Sequence, residues 1–272
     1  MQSKKFRIVF IGDVSGKYGR RLLGKALPSI RFSYEPDLVI ANGENSAGGL
    51  GIIPKTAYEM FQAGVDIITT GNHVWDKKEA IGLLREDNRI LRPLNFPNAA
   101  PGSGYTVFNS DNKGKALIVN LQGRVFMEPV SNNPFLAMDE FLKGRDEKVI
   151  FVDFHAEATA EKQGMGYYLD GRVSAVLGTH THVQTTDLRI LEGGTAFQSD
   201  VGMTGSLDSI IGMKREAVIK KFVTGVNQRF EVARGVQILD MTVVDIDTIT
   251  GKAVFAEYLR LFEDSYQQQL KK

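Results

Sequence analysis

Short apolar runs recur along the chain, each closed by a turn and followed by residues with helical spacing. Phe6–Ile11, Leu38–Ala41, Val65–Thr69, Ala116–Leu121, Val149–Phe154 and Val173–Leu177 read as buried strands. Between them lie a basic amphipathic stretch, Arg20–Phe32, and the helix-compatible segments Pro54–Gln62, Lys77–Arg85, Pro134–Leu142 and Ala158–Gln163. Proline at position 54 suits the first turn of a helix. Such alternation predicts helices covering a largely parallel sheet. The pattern changes in the last third. Leu188–Leu191 and Thr195–Gln198 flank Glu192-Gly193-Gly194, a hairpin signal, and Val236–Ile246 and Ala253–Leu261 alternate around Asp247–Gly251 as an antiparallel pair. The expected fold is α/β, a four-layer α-β-β-α sandwich with one mostly parallel and one mixed sheet. Residues 1–272 are expected to form a single domain, with a frayed tail at Gln267–Lys272.

Composition narrows the function. With 33 basic and 32 acidic residues the formal charge is +1, which gives no electrostatic case for gripping long nucleic acid. An anionic substrate must therefore be attracted locally. The chain has no cysteine, which excludes disulfides, thiolate metal sites and a cysteine nucleophile, and fits a reducing compartment. Met1–Phe6 leads into the first strand without a signal-peptide apolar core, and no apolar run approaches the roughly 20 residues of a membrane span. A cytoplasmic protein with no membrane partner is expected. Oligomeric state stays open, a homo-oligomer included.

The candidate chemistry sits at strand ends. All four histidines lie in settings suited to a metal: His73 in Gly71-Asn72-His73, His155 closing Val152-Asp153-Phe154-His155, and His180 and His182 in Gly178-Thr179-His180-Thr181-His182. Two further strands end in acid-bearing turns, Gly12-Asp13 and Asn42-Gly43-Glu44-Asn45. A parallel sheet aligns the carboxyl ends of its strands, so these side chains can converge from distant parts of the chain. Imidazole with carboxylate and amide oxygens suits transition metals. Taken singly, Asp13 could cap a helix, Glu44 could lie in a glycine-rich surface loop, and His73 could be a turn histidine. Their joint occurrence is what points to a metalloenzyme. Gly12 and Gly16 are expected to let a ligand approach Asp13. Adjacent side chains do not easily bind one ion from the same direction, so Asn72 reads as the ligand and His73 as free for proton transfer. Asp76 is a candidate to orient His73, and Trp75 reads as packing. The i, i+2 spacing of His180 and His182 is expected to put both rings on one side of extended chain.

In order, these five motifs resemble those of the calcineurin-like metallophosphoesterases. The narrower resemblance is to the YmdB branch, bacterial phosphodiesterases for 2′,3′-cyclic nucleotides. It is carried by Asn42-Gly43-Glu44-Asn45, Gly71-Asn72-His73-Val74-Trp75-Asp76, Phe154-His155-Ala156-Glu157 and Met203-Thr204-Gly205, and spans Phe6 to Leu261. Two positions depart from the wider superfamily. Ser15 stands where a histidine is usual, and Glu44 stands where an aspartate is usual, with Asn45 beside it. Both departures are similar to the YmdB branch.

The resemblance implies a metallophosphoesterase sandwich and two transition-metal ions, iron (Fe2+/Fe3+) with manganese as a substitute. One ion would take Asp13, Glu44, Asn45 and His182, the other Glu44, Asn72, His155 and His180, with Glu44 bridging. Hydroxide generated at the metals would attack phosphorus of a small cyclic nucleotide or other phosphodiester, and His73 would protonate the departing ribose oxygen. A phosphomonoesterase or phosphoprotein phosphatase with the same centre, or a regulatory nucleotide-sensing protein with incidental turnover, stays open as an alternative.

Overall fold

The computed structural model describes residues 4–110 and 113–270. In β1 (Lys5–Ile11), Phe6, Ile8 and Phe10 face one way and Val9 and Ile11 the other, and both sets are fully buried. The same division recurs in β3 (Leu38–Asn42) and β7 (Val149–His155). Strands buried on both faces need cover on both. On one side the cover is a second sheet: Phe6, Ile8, Phe10 and Ile40 pack onto Ile118, Phe151 and Leu177. The rings of Phe10 and Phe151 meet edge to face at 5.0 Å. Helices cover the outer faces. These are α1 (Gly16–Tyr34), α2 (Pro54–Ala63) and α3 (Ala80–Glu86) over the first sheet, and α4 (Pro134–Leu142) and α5 (Thr159–Tyr168) over the second. Three apolar cores between four layers make the expected α-β-β-α sandwich.

The first sheet joins β1, β3 and β4 (Ile67–Thr69) in parallel, and β12 (Gln237–Asp247) runs antiparallel to β1. β13 (Ala253–Phe262) lines the far edge of β12, again antiparallel. In the second sheet β6 (Gly114–Gln122), β7, β8 (Ala175–Thr179) and β10 (Ala196–Gln198) are parallel, with β5 (Tyr105–Ser110) and β9 (Arg189–Ile190) as antiparallel edges. The mostly parallel sheet is therefore the second and the mixed sheet the first.

A departure from the ladder positions the site. β1 follows β12 as far as Ile11, opposite Met241; there the chain peels away, and β11 (Met203–Ser206) enters between β12 and β2 (Asp13–Val14). A Cβ at residue 12 would lie 2.2 Å from the Gly202 carbonyl oxygen. Glycine at this position thus serves close approach of the protein's own backbone, and not, as expected from sequence, of a ligand.

The strands β5 and β11 and the helix α6 (Arg215–Thr224) have no counterpart in the sequence reading. The tail expected to fray from Gln267 instead carries α7 (Tyr266–Gln269), and Leu270 is buried in the core under α1. Residues 271–272 of that tail lie outside the described residues, as do Met1–Ser3 of the amino-terminal segment. Among the described residues no helix is long and apolar enough to cross a membrane.

Candidate metal centre

At the carboxyl ends of the strands the layer between the sheets turns from apolar to polar. Asn42 ends β3, Asp153 and His155 lie on β7, and Thr179 ends β8, all fully buried. The Asn42 amide reaches across to Asp153 Oδ2 at 3.2 Å and Thr179 Oγ1 at 3.4 Å, joining the two sheets.

On this floor the predicted residues converge in two groups that share one oxygen. Glu44 Oε1 lies 3.0 Å from His155 Nε2, which is also 3.0 Å from Asn72 Oδ1 and 3.1 Å from His180 Nδ1. The same Oε1 lies 3.4 Å from Asn45 Nδ2, which is 3.3 Å from Asp13 Oδ1 and 3.1 Å from His182 Nε2. Glu44 Oε2 turns away and accepts the His73 backbone N–H at 3.1 Å. Asp13 and Glu44 are fully buried, which rules out both the surface-loop reading of Glu44 and the cap reading of Asp13; the residue before α1 is Ser15.

This donor set fits cations. Bonds of about 2.1 Å place the ligands of one ion roughly 3.0–3.4 Å apart. The contacts to His155 Nε2 and to Asn45 Nδ2 fall in that range, and His182 Nε2 stands slightly wider, 3.6 Å from Asp13 Oδ1. A single proton on His155 Nε2 cannot serve Glu44, Asn72 and His180 together, so lone pairs face one another there. Glu44, His155 and His180 each offer a ligand atom within 4.8 Å of the others. In the other group the Asn45 amide turns its nitrogen inward; oxygen coordination asks for a half-turn of that amide, which exchanges two nearly isosteric atoms.

Outer contacts orient the rings. His155 Nδ1 lies 2.9 Å from Thr179 Oγ1, which donates to Asp153 Oδ1 at 2.7 Å. Thus Nδ1 carries the proton and Nε2 faces the centre. His182 Nδ1 donates to the Ile211 carbonyl at 2.9 Å, again freeing Nε2. His180 is reversed: Nε2 meets Glu157 at 3.1 Å and Nδ1 points inward. Glu157, Ile211 and the Thr179–Asp153 pair are contributors that sequence reasoning gave no role. The one available signal was Asp153, a carboxylate within an apolar strand and on the same face as His155.

The two histidines of the Thr179–His182 turn do not share a side of extended chain. β8 ends at Thr179, and His180 and His182 have left-handed φ values of 107° and 63°. The expectation of extended geometry is thereby corrected, and each ring joins a different group.

Burial pushes His180 down to about 3, aided by the charge of His155. Burial also opposes protonation of His182, but the charge and hydrogen bond of Asp13 outweigh it and raise His182 to about 9. Asp13 is in turn held well below the usual carboxylate range, against its burial, by His182. Glu44 and His155 shift each other the same way against their burial, Glu44 downward and His155 upward. Positive charge is therefore favoured beside both carboxylates, in each group. Asp153, pushed up to about 7 by burial, contributes less negative charge than its formula suggests.

His73 stands beside the groups, half-buried, with Nδ1 2.9 Å from Asp76 Oδ2. Asp76 therefore orients it, leaving Nε2 unengaged by that contact. Trp75 packs on Phe96, with ring centroids 6.1 Å apart.

The family profile described as YmdB-like protein matches residues 9–259. The chain is 48% identical over 260 residues to the 2′,3′-cyclic-nucleotide 2′-phosphodiesterase of Bacillus subtilis (strain 168), covering 95% of this chain and 98% of that protein. A crystal structure of a hypothetical protein from Thermus thermophilus superimposes with a TM-score of 0.89 at 42% identity, covering 94% of this chain and 99% of the other. A crystal structure of a novel phosphatase from Mycoplasma pneumoniae superimposes with a TM-score of 0.91 at 36% identity, covering 96% and 95%.

Proposed function

Since this chain belongs to the YmdB-like family, we propose that it is a two-metal phosphodiesterase hydrolysing 2′,3′-cyclic nucleotides. The observation that carries the metal half of this reading is Glu44 Oε1, the one atom common to both groups of donors. Asp13, Glu44, Asn45 and His182 would hold one ion, and Glu44, Asn72, His155 and His180 the other. The substrate half rests on the activity named for the Bacillus subtilis relative.

Iron is the expected metal and manganese a substitute; when bound, such ions offset phosphodiester charge and lower the pKa of water to roughly 7. The chain's own residues set the rest. Asp13 and Glu44 bring two negative charges, whereas Asn45 and Asn72 bring none. A loaded centre would therefore stay positive and attract an anionic diester, although the whole chain carries a formal charge of only +1. Asp76 holds His73 Nδ1, so Nε2 is the atom that delivers a proton to the departing 2′ oxygen as water adds to phosphorus. The nucleoside leaves with a 3′-phosphate. The protein acts as a single cytoplasmic domain, in keeping with a chain that has no cysteine to oxidise.

The test pairs elemental analysis with a substrate panel. About two iron or manganese ions per chain are expected, with turnover of a 2′,3′-cyclic nucleotide exceeding that of a monoester or a phosphopeptide and lost on chelation. Active protein without such metal, or a preference for the monoester or phosphopeptide, would overturn the proposal.

A further inference from the structure

Two charged side chains outside both donor groups lie buried beneath the turn that carries His180 and His182. Lys162 on α5 and Asp200, two residues past β10, have side chains only 2% and 1% exposed. Lys162 Nζ donates to Asp200 Oδ2 at 2.7 Å and to the Thr179 carbonyl at 2.8 Å. Asp200 Oδ2 also accepts from the Thr181 backbone N–H at 2.9 Å and from Thr181 Oγ1 at 2.8 Å, while Oδ1 accepts from the Gly202 N–H at 2.9 Å. The pair thus holds the residues on either side of His180.

The turn needs such support. His180 and His182 both have left-handed φ values, and non-glycine residues persist there only where the surroundings over-determine them. Stability alone does not account for the pair, because a buried ion pair is often replaceable by apolar groups at no loss. Apart from the Gly202 N–H, its contacts instead fall on one turn, at Thr179 and Thr181. That turn sends His180 Nδ1 to His155 and His182 Nε2 to Asn45, one ring into each donor group.

We infer that Lys162 and Asp200 are positioning residues that lock the Thr179–His182 turn, so that its two imidazoles serve two different ions. The inference rests on the metal-centre reading above. Loosening the turn frees both rings at once and uncouples the two ion positions, although neither charged group touches a metal or substrate.

The test compares wild-type protein with Lys162→Met and with Lys162→Met/Asp200→Asn, measuring manganese affinity and stoichiometry, the electron paramagnetic resonance spectrum of manganese-loaded protein, and Tm. Wild type is expected to take two ions and give the spectrum of a coupled pair. Lys162→Met strands the Asp200 carboxylate and should lose both Tm and coupling. The double variant leaves no buried charge unpaired, so its Tm should return towards wild type. Its manganese affinity should stay about 10–100-fold weaker, the usual loss when an outer-shell partner is removed, with no coupled spectrum. Should Lys162→Met fail to fold, the double variant carries the comparison. Recovery of affinity and coupling together with Tm in the double variant would overturn the inference. A wild-type protein that binds no manganese or iron would instead overturn the metal-centre reading.

Discussion

Gly71 packs so tightly on His155 that one added methyl group probes the centre. A Cβ at Gly71 would fall 2.1 Å from His155 Cδ2 and 2.3 Å from Nε2, the inward-facing nitrogen. Ordinary contact begins at 3.4 Å, so the ring or the backbone around Asn72 must retreat by about 1.3 Å. The ring has little room to do so, being fully buried and tied through Nδ1 to Thr179. Backbone movement is no gentler, because it displaces Asn72, itself 3.0 Å from His155 Nε2. Metal–ligand distances tolerate about 0.2 Å, and a misplacement of about 1 Å costs roughly 10²-fold in rate. Gly71→Ala should therefore deplete the ion assigned to Asn72, His155 and His180 and lower kcat by about 10²-fold or more. The overpacking itself should cost about 1–3 kcal/mol of stability. Gly24→Ala is the matched control: Gly24 lies within α1 with nothing within 4 Å of the added carbon. There the change should stabilise the helix by up to about 1 kcal/mol and leave turnover alone. Elemental analysis, kinetics and thermal unfolding of the two variants decide the matter. Two bound ions and near-normal kcat in Gly71→Ala would refute the packing argument.

Glu44→Gln should lose metal and activity together, since it removes one negative charge from between two cations; a variant keeping both ions at full turnover would contradict the shared Oε1. His73→Ala should keep its metal while kcat falls roughly 10²–10⁴-fold on a cyclic nucleotide, and should fall less on a nitrophenyl phosphodiester whose leaving group departs unprotonated. Equal losses on both esters with depleted metal would make His73 a ligand instead. Without a metal His182 is protonated below about pH 9, so an ion binding there must displace that proton. Calorimetric titration with manganese at pH 8 should show heats that depend on buffer ionisation enthalpy, corresponding to release of about one proton from this residue and fading as pH rises through 9. Buffer-independent heats at pH 8 would count against the assignment.

Residues that end strands were legible because burial and chemistry alternate on the same element. Leu38 to Ala41 announces a buried strand, and Glu44 follows within its turn. The helix from Pro134 to Leu142 is bounded as expected, since Pro134 opens it and Asn133 caps it. By contrast, β5 is a half-exposed edge whose signal is diluted, and β11 contains only four residues and owes its place to the splay at Gly12. The Thr179–His182 turn misled for a different reason. Side-chain alternation holds only while the backbone stays extended, and it stops at Thr179. Lys162 and Asp200 were illegible as partners because their pairing spans 38 residues and is made by tertiary packing alone.

Seen in order of synthesis, the donors divide cleanly. Asp13, Glu44, Asn45 and Asn72 come from the first sheet and its turns, and His155, His180 and His182 from the second, so by residue 182 every donor has been made. The frame that places Asp13 has not. β1 and β11, on either side of the splay, both pair with β12, which begins only at Gln237. A nascent chain released before that strand would carry all the candidate donors without the strand that frames Asp13. On the proposed metal reading, uptake would have to wait for β12, and an ion retained through purification would report that the last third has closed onto the first.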